Sequence, residues 1–245
     1  MSGNGFIECR NLRKSFGAKA VLQGVNLTVQ RGETMVILGG SGSGKTVLLK
    51  HMNGLVGPES GEVFLDGLEI SRMEEDALTE VRKKVAMVFQ GCALFDSMTI
   101  GENIAYPLDE HTLLSPEVIR DRVREALALV GLEGCADLYP AEMSGGMKKR
   151  AALARALVLR PEALLYDEPT TGLDPLMTHR INRLIRDLQK KLTVTSVVVT
   201  HDLQSAFVIA DRVAFLQKGQ IRFVGTREEF QTSKDLAVHE FISDA

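Results

Sequence analysis

The stretch that decides the fold is GGSGSGKT at residues 39–46, which follows an apolar run and precedes the helical sequence VLLKHMNGL. It matches the pattern G-x-x-x-x-G-K-[S/T], whose glycines leave backbone N–H groups free to surround a phosphate at a helix N-terminus. Lys45 is placed to reach the β- and γ-phosphates of a nucleotide, and the Thr46 hydroxyl to hold Mg²⁺. The predicted phosphate-binding residues are Gly39, Gly40, Ser41, Gly42, Ser43, Gly44, Lys45 and Thr46.

Short apolar runs that end in polar residues recur along the chain and predict a parallel sheet. They are ETMVILGG (33–40), KVAMVFQ (84–90), EALLYDEP (162–169) and TSVVVTHD (195–202). Strands buried on both faces have this composition, and helical segments lie between them, as in an α/β protein. Ligands of such folds gather beyond the carboxyl ends of the strands.

Two other regions have a different pattern. Val25, Leu27 and Val29 alternate with polar residues, and GEVFLDGLEI (61–70) contains an Asp-Gly turn, which predicts an antiparallel sheet near the N-terminus. DRVAFLQKGQIRFVG (211–225) is interpreted as a late hairpin that turns at Lys218 and Gly219.

The strand signal disappears between residues 91 and 143. SPEVIRDRVREALALVGL (115–132) has serine at the N-cap position, proline at the first helical position, and helically spaced Ile119, Val123, Leu127 and Val130. A mostly helical insert of residues 91–143 between two core strands is therefore expected.

Composition limits the classes of function. The chain has 245 residues, 44% of them hydrophobic, and a net charge of −3 without a basic stripe, which argues against a nucleic-acid partner. Cys9, Cys92 and Cys135 are widely spaced and favour reduced thiols. No apolar run approaches the roughly 18 residues of a membrane span, and the first residues lack the apolar core of a signal peptide. A soluble, cytoplasmic protein is expected.

Polar residues at other strand ends complement the phosphate loop. Asp167 suits a Mg²⁺ ligand, and Glu168 is placed to orient or deprotonate an attacking water. His201 is a candidate to hold the γ-phosphate and the water, and Gln90 a neutral ligand able to reach both Mg²⁺ and water. Without the phosphate loop, the carboxylates would be interpreted as a solvated sheet edge and His201 as a capping residue.

Residues 6–225 resemble the ATPase subunit of an ABC transporter. The motifs that carry the resemblance are, in chain order, the phosphate loop, Gln90, SGG at 144–146, Asp167-Glu168, Asp174 and His201. The resemblance implies an ATP- and Mg²⁺-dependent, RecA-like α/β core with an antiparallel β-subdomain and a helical subdomain. It implies one ABC ATPase domain over 1–245: core and β-subdomain at 1–90 and 159–225, helical subdomain at 91–158, and a tail at 226–245. It also implies that Phe16 stacks on adenine and that the Asp174 loop communicates between subunits, although Phe16 by itself would more often be a core aromatic.

The same resemblance gives Ser144, Gly145 and Gly146 a role. They open the helix of MSGGMKKR (143–150) and would form a second anion site, made of a hydroxyl, unhindered N–H groups and a positive helix end. In ABC ATPases this site covers the γ-phosphate held by the other subunit, which implies a head-to-tail dimer of two copies with two ATP molecules between them. An ordinary serine N-cap is the alternative.

Met147 departs from the family, which usually has glutamine there. Together with residues 89–108 and the tail DLAVHEFI (235–242), it is similar to the ATPases of Mla/MCE-type lipid transporters. That subgroup implies a membrane permease, an MCE-type lipid-binding protein, and a position on the inner face of the membrane, or the stromal face in a plastid. Phe95, Met98 and nearby apolar residues are the expected groove for the permease, and the tail would either cross to the partner subunit or fray.

Other classes fit less well. A P-loop kinase needs no second phosphate site, soluble ABC-type ATPases of DNA repair carry a long coiled coil in place of residues 91–143, and translation-linked ones fuse two ATPase cores. Within the transporter class, an importer of amino acids, metal complexes or other small solutes is the alternative.

Overall fold

The computed structural model of the chain describes residues 5–243. Its strands are β1 (Ile7–Phe16), β2 (Lys19–Val29), β3 (Thr34–Leu38), β4 (Ser60–Leu65), β5 (Leu68–Glu69), β6 (Val85–Val88), β7 (Ala163–Asp167), β8 (Thr195–Thr200), β9 (Arg212–Gln217) and β10 (Gln220–Gly225). Its helices are α1 (Lys45–His51), α2 (Glu75–Lys84), α3 (Ile100–His111), α4 (Pro116–Leu129), α5 (Gly145–Leu157), α6 (Pro175–Leu192), α7 (Leu203–Ile209), α8 (Arg227–Gln231) and α9 (Leu236–Ser243), and a 3₁₀ turn spans Pro140–Glu142.

Six strands form the central sheet, in the order β10-β9-β3-β8-β7-β6. The pairs of β3 with β8 and β9, of β7 with β8, and of β6 with β7 are parallel, as the four apolar runs predict. The β9–β10 pair is an antiparallel hairpin, and its turn lies at Lys218 and Gly219 as predicted, where both residues have positive φ. The carboxyl ends of β3, β6, β7 and β8 therefore lie along one edge of the sheet.

The second sheet has the order β2-β1-β4-β5 and is antiparallel throughout. The predicted Asp-Gly turn joins β4 to β5, with φ of 49° at Asp66 and 79° at Gly67. Its apolar face packs with α1 and α2 against one face of the central sheet.

Each face of the central sheet contributes to a separate hydrophobic core. Successive side chains of a strand point to opposite faces, so Met35 and Ile37 of β3 pack with α1 and the antiparallel sheet, whereas Val36 and Leu38 pack towards α3 to α7. This two-sided burial explains why the strand runs of the sequence are continuously apolar.

The segment 91–143 contains α3, α4 and the 3₁₀ turn, without a strand, as predicted. The predicted helix at 115–132 is shorter in the structure: α4 ends at Leu129, and Gly131 follows with a φ of 64°, a left-handed conformation that a continuing helix cannot adopt. Ser115 occupies the N-cap position but makes no capping hydrogen bond through its side chain. Val123, Leu127 and Val130 are buried, and Ile119 is half-buried against the same core.

The described part of the tail packs on its own chain. Val238 of α9 is fully buried, and the ring of Phe241 lies 5.0 Å from that of Phe215 on β9. Phe230 of α8 is also buried, within an aromatic cluster that includes Phe207, Phe215 and Phe223.

Two sequence-based expectations concern the chain as a whole. Cys9, Cys92 and Cys135 are free thiols, as expected. Among residues 5–243, no helix is both long enough and apolar enough to cross a membrane.

Candidate functional site

The phosphate loop joins β3 to α1 at the carboxyl edge of the central sheet. Gly42 and Gly44 adopt positive φ of 73° and 106°, a conformation that favours glycine and turns successive backbone groups into the loop. Lys45 is buried, and its Nζ donates to the carbonyl oxygens of Gly39 at 2.8 Å and Gly40 at 3.1 Å. The lysine therefore lies folded against the loop with its charge at the entrance of α1.

A cleft of about 1030 Å³ opens above this loop. A Cβ added to Gly40 or Gly42 would meet no atom within 4 Å, so both residues border open space. The Ser43 Oγ is buried and has no hydrogen-bond partner in the described part of the chain. A buried, unpaired hydroxyl beside a glycine loop is suited to bind a polar ligand, and the residues present fit a phosphate.

The hydroxyl of Thr46 is positioned by a carboxylate from the neighbouring part of the sheet. Thr46 Oγ1 donates to Asp167 Oδ1 at 2.7 Å, where Asp167 is the last residue of β7. Burial raises the pKa of Asp167 above its ordinary value, and the hydrogen bond from Thr46 opposes that shift. Gln90, which follows β6, borders the same cleft. A hydroxyl, a carboxylate and an amide are oxygen ligands of the kind that Mg²⁺ takes.

Glu168 makes three polar contacts in the cleft through its carboxylate. Its carboxylate accepts from Thr171 Oγ1 at 3.2 Å, lies 3.0 Å from His201 Nδ1, and is 3.4 Å from Lys45 Nζ. Its side chain is only 12% exposed, and its backbone has a φ of 47°, which is uncommon for a residue other than glycine. Non-glycine residues in this conformation cluster at functional sites, and here it directs a carboxylate into the cleft.

Most of the predicted site residues line this one cleft. They are Gly40, Ser41, Gly42, Ser43, Gly44, Lys45, Thr46, Gln90, Glu168 and His201. Gly39 lies behind the loop, where an added Cβ would come 2.4 Å from the Leu216 carbonyl oxygen. Asp167 takes part through its hydrogen bond to Thr46.

Phe16 does not line the cleft. It ends β1 with its side chain 53% exposed, and it pairs in register with Lys19, which does border the cleft. Its ring lies 5.6 Å from the Lys14 ammonium. Phe16 is therefore an accessible ring near the rim of the cleft.

Ser144, Gly145, Gly146 and Asp174 also lie away from the cleft, and they lie near one another. Ser144 is the N-cap of α5 and accepts from the Met147 N–H at 3.3 Å, while Asp174 is the N-cap of α6 and accepts from the Met177 N–H at 2.9 Å. A Cβ added to Gly146 would come 2.3 Å from Met177 Cε, so the starts of the two helices are in contact. Met147 packs against the larger core, as expected of a methionine in place of glutamine.

Sequence reasoning missed several residues of the cleft. Lys19 and Val21 of β2, Thr171, Asp202 and Phe241 of α9 all border it. Thr171 belongs to the same TTGLD stretch as Asp174, so the sequence motif lay next to this residue of the cleft. Lys19 comes from a distant segment without a local motif, and Phe241 lies in the DLAVHEFI tail, whose resemblance gave no indication of contact with the cleft.

A glycine loop on β3, a hydroxyl–carboxylate pair and a strand-end glutamate together define a P-loop nucleotide-binding protein. The sequence profile of the ABC transporter family matches residues 22–171. The chain therefore belongs to the ABC transporter family, as a member of its ATP-binding subunits, and the predicted α/β P-loop fold is confirmed.

Individual relatives agree with this assignment. The chain is similar to the probable ribonucleotide transport ATP-binding protein mkl of Mycobacterium tuberculosis, with 43% identity over 97% of this chain and 66% of the relative. It is also similar to the intermembrane phospholipid transport system ATP-binding protein MlaF of Haemophilus influenzae, with 42% identity over 96% of this chain and 89% of the relative. The chain thus spans slightly under two thirds of the mycobacterial relative and most of the other.

A solved structure extends the comparison to an assembly. It is a dimer of an ATP-binding cassette in a post-hydrolysis state, bound to ADP and Pi. This chain matches that cassette with a TM-score of 0.83 and 34% identity, over 90% of this chain and 98% of the other.

Proposed function

We propose that this chain hydrolyses ATP and that its hydrolysis drives a membrane transporter. The observation that carries the proposal is the position of Glu168, whose carboxylate lies at the end of β7 within reach of both Lys45 and His201. A phosphate-binding protein without catalysis needs no carboxylate beside its phosphate lysine, because two negative groups there repel each other. A general base for water is the role that accounts for it.

Each residue of the cleft has a distinct task in this reaction. The N–H groups of residues 40–46 and the Lys45 ammonium bind the phosphates of ATP. Glu168 accepts a proton from the attacking water, and His201 holds the Glu168 carboxylate from the open side of the cleft. Phe16, at the rim, offers a ring face to the adenine.

Thr46, Asp167 and Gln90 are the residues that would hold Mg²⁺. Thr46 and Asp167 are already in contact, and Gln90 borders the same cleft. When bound, the ion neutralises phosphate charge and stabilises the charge that develops during transfer. The Thr46–Asp167 hydrogen bond orients both of these side chains.

We further infer that two copies of the chain form a head-to-tail dimer. Ser144 and Gly145 are exposed at the start of α5, outside the chain's own cleft, and the first N–H groups of a helix have no acceptor within it. The helical subdomain of residues 91–158 would thus present Ser144, Gly145 and Gly146 to the γ-phosphate held by the other copy. Asp174, which caps the adjacent α6, would lie at the same interface.

A mixed dimer tests this arrangement. One chain carries Ser144→Arg and the other Lys45→Ala, and ATP occlusion is measured after purification through two different tags. If the sites are composite, both lesions fall on one site and the other occludes one ATP per dimer. If Ser144 serves only its own chain, both sites are damaged, and a dimer that occludes nothing refutes the head-to-tail proposal.

The transported cargo is proposed to be a phospholipid or another hydrophobic molecule. Support comes from the similarity to a relative named for intermembrane phospholipid transport. The proposed partners are an integral membrane permease and an MCE-type lipid-binding protein, which would place the chain peripherally at the inner face of a membrane.

Purification of the intact complex tests the cargo and the partners together. The tagged chain is isolated from its native membrane in mild detergent, and co-purifying proteins and lipids are identified by mass spectrometry. An MCE-associated permease with bound phospholipid is the expected result. A small-solute permease with its binding protein would instead establish the importer alternative.

A further inference from the structure

Lys149 is a buried cation that the proposed reaction does not use. It lies on α5 one and a half turns after Ser144, and only 8% of the residue is exposed. Burial lowers the pKa of Lys149, while the nearby carboxylates of Asp167 and Glu168 act in the opposite direction. A buried ammonium is costly unless it is hydrogen-bonded, so its partner indicates its purpose.

That partner is the backbone of Gln90. Lys149 Nζ donates to the Gln90 carbonyl oxygen, although 59 residues separate the two along the chain. The side chain of Gln90 borders the nucleotide cleft. The ammonium therefore holds the main chain at the point where β6 ends and the Gln90 side chain leaves it.

The loop that follows Gln90 needs such support. Cys92 and Ala93 have φ of 65° and 49°, consecutive left-handed conformations that cost free energy in residues other than glycine. Arg155, six residues further along α5, donates to the carbonyl oxygens of Cys92 at 2.9 Å and Ala93 at 2.8 Å. Two cations of one helix thus hold three backbone carbonyls of this loop, and Lys149 holds the one that belongs to Gln90.

We propose that Lys149 is a positioning residue for ATP hydrolysis, which fixes Gln90 at the cleft and ties it to the start of α5. The inference rests on the proposed function of the cleft and of Ser144. Because Lys149 is five residues from Ser144, about 7.5 Å along a rigid helix, contact of α5 with the other copy's nucleotide is transmitted to Gln90 of its own chain.

Arg150 supplies a matched control. It is the next residue of α5, and its guanidinium also binds backbone carbonyls, those of Val130 at 3.1 Å and Gly131 at 2.6 Å. Those carbonyls lie at the end of α4, away from Gln90. Either substitution removes hydrogen bonds between α5 and backbone carbonyls, but only Lys149→Met removes the hydrogen bond to Gln90.

The experiment compares ATP hydrolysis, ATP affinity and melting temperature of the full-length chain in its transporter complex. For Lys149→Met, we expect kcat to fall about tenfold with the Kd for ATP within about twofold, since one charge-assisted hydrogen bond is lost outside the phosphate site. Lys149→Arg should restore most of kcat, and Arg150→Met should lower the melting temperature while leaving kcat within about twofold. Should Lys149→Met fail to fold, Lys149→Ala, which also removes the donor and favours a helix, is measured against the same limits.

A double-mutant cycle decides whether Lys149 acts through Gln90. In a Gln90→Ala background, Lys149→Met should cause no further loss of kcat. An independent tenfold loss in that background would overturn the inference, as would an unchanged kcat in the single variant or an equal loss in Arg150→Met. A wild-type complex without ATP hydrolysis would overturn the proposed function itself, so the two failures are distinguishable.

Discussion

Replacement of Glu168 by glutamine is the sharpest perturbation of the proposed chemistry. The amide keeps the size of the side chain and one carbonyl oxygen, and Thr171 Oγ1 and His201 Nδ1 both contact the same oxygen, Oε2, so an amide oxygen in that position can serve both. The negative charge is lost, and with it the contact to Lys45 Nζ at 3.4 Å and the capacity to accept a proton from water. The backbone strain of a φ of 47° is the same for glutamine as for glutamate.

The expected loss of turnover follows from these contacts. A positioned general base contributes roughly 10²–10⁴ in rate, equivalent to about 2.7–5.5 kcal/mol of activation free energy, and the amide supplies none of it. The substitution should favour ATP binding, because Lys45 no longer pairs with Glu168 and the phosphates are repelled by one negative charge fewer. We therefore expect kcat to fall by that factor, with unchanged or tighter ATP binding and accumulation of an ATP-dependent closed dimer.

The assay combines single-turnover phosphate release with equilibrium binding of a fluorescent ATP analogue and size-exclusion chromatography. Thr171→Val is the control: it removes only a hydroxyl that donates to Glu168 at 3.2 Å and should slow release by no more than about tenfold. Near-normal release by Glu168→Gln would remove Glu168 from the role of base. A parallel loss of ATP affinity would show that the residue binds nucleotide instead.

Three further predictions concern binding and stability. Lys45→Ala should weaken ATP binding about 10- to 100-fold, the value of hydrogen bonds from one charged group, measured by titration calorimetry. Phe230→Ala should lower the free energy of unfolding in urea by about 3–5 kcal/mol, since this fully buried ring packs among other aromatic rings. Burial lowers the pKa of His51 below its ordinary 6.5, so unfolded chains bind more protons there. Stability should thus decline as the pH falls below about 6.5, and His51→Gln should flatten that decline in melting temperature.

The central sheet was predictable because its pattern is local. Residues of β3 such as Val36 and Ile37 are buried on opposite faces, and this produces a continuous apolar run with polar residues at its end. The phosphate loop was predictable for a related reason. Its turn requires glycines with positive φ at fixed positions before the helix, and these produce a recognisable spacing of glycines in the sequence. The Asp66-Gly67 and Lys218-Gly219 turns were found through the same requirement for positive φ.

Other parts of the site depend on contacts between distant segments. Phe241 reaches the cleft because α9 packs on β9, and nothing in the tail sequence specifies that docking. Lys149 contacts the backbone carbonyl of Gln90. Because every residue has a backbone carbonyl, the residue type at position 90 could not predict this contact. Ser115 shows the converse: its residue type predicts a helix cap, but its side chain makes no capping hydrogen bond.

Lys45 and Glu168 are linked in a way that connects nucleotide binding with hydrolysis. The ammonium is buried and is shared among two loop carbonyls and the Glu168 carboxylate. A bound triphosphate carries more negative charge than Glu168 and competes for the same ammonium, which leaves the carboxylate held by Thr171 and His201. In the proposed reaction, arrival of ATP therefore both fills the phosphate site and frees the Glu168 carboxylate from its contact with the Lys45 ammonium.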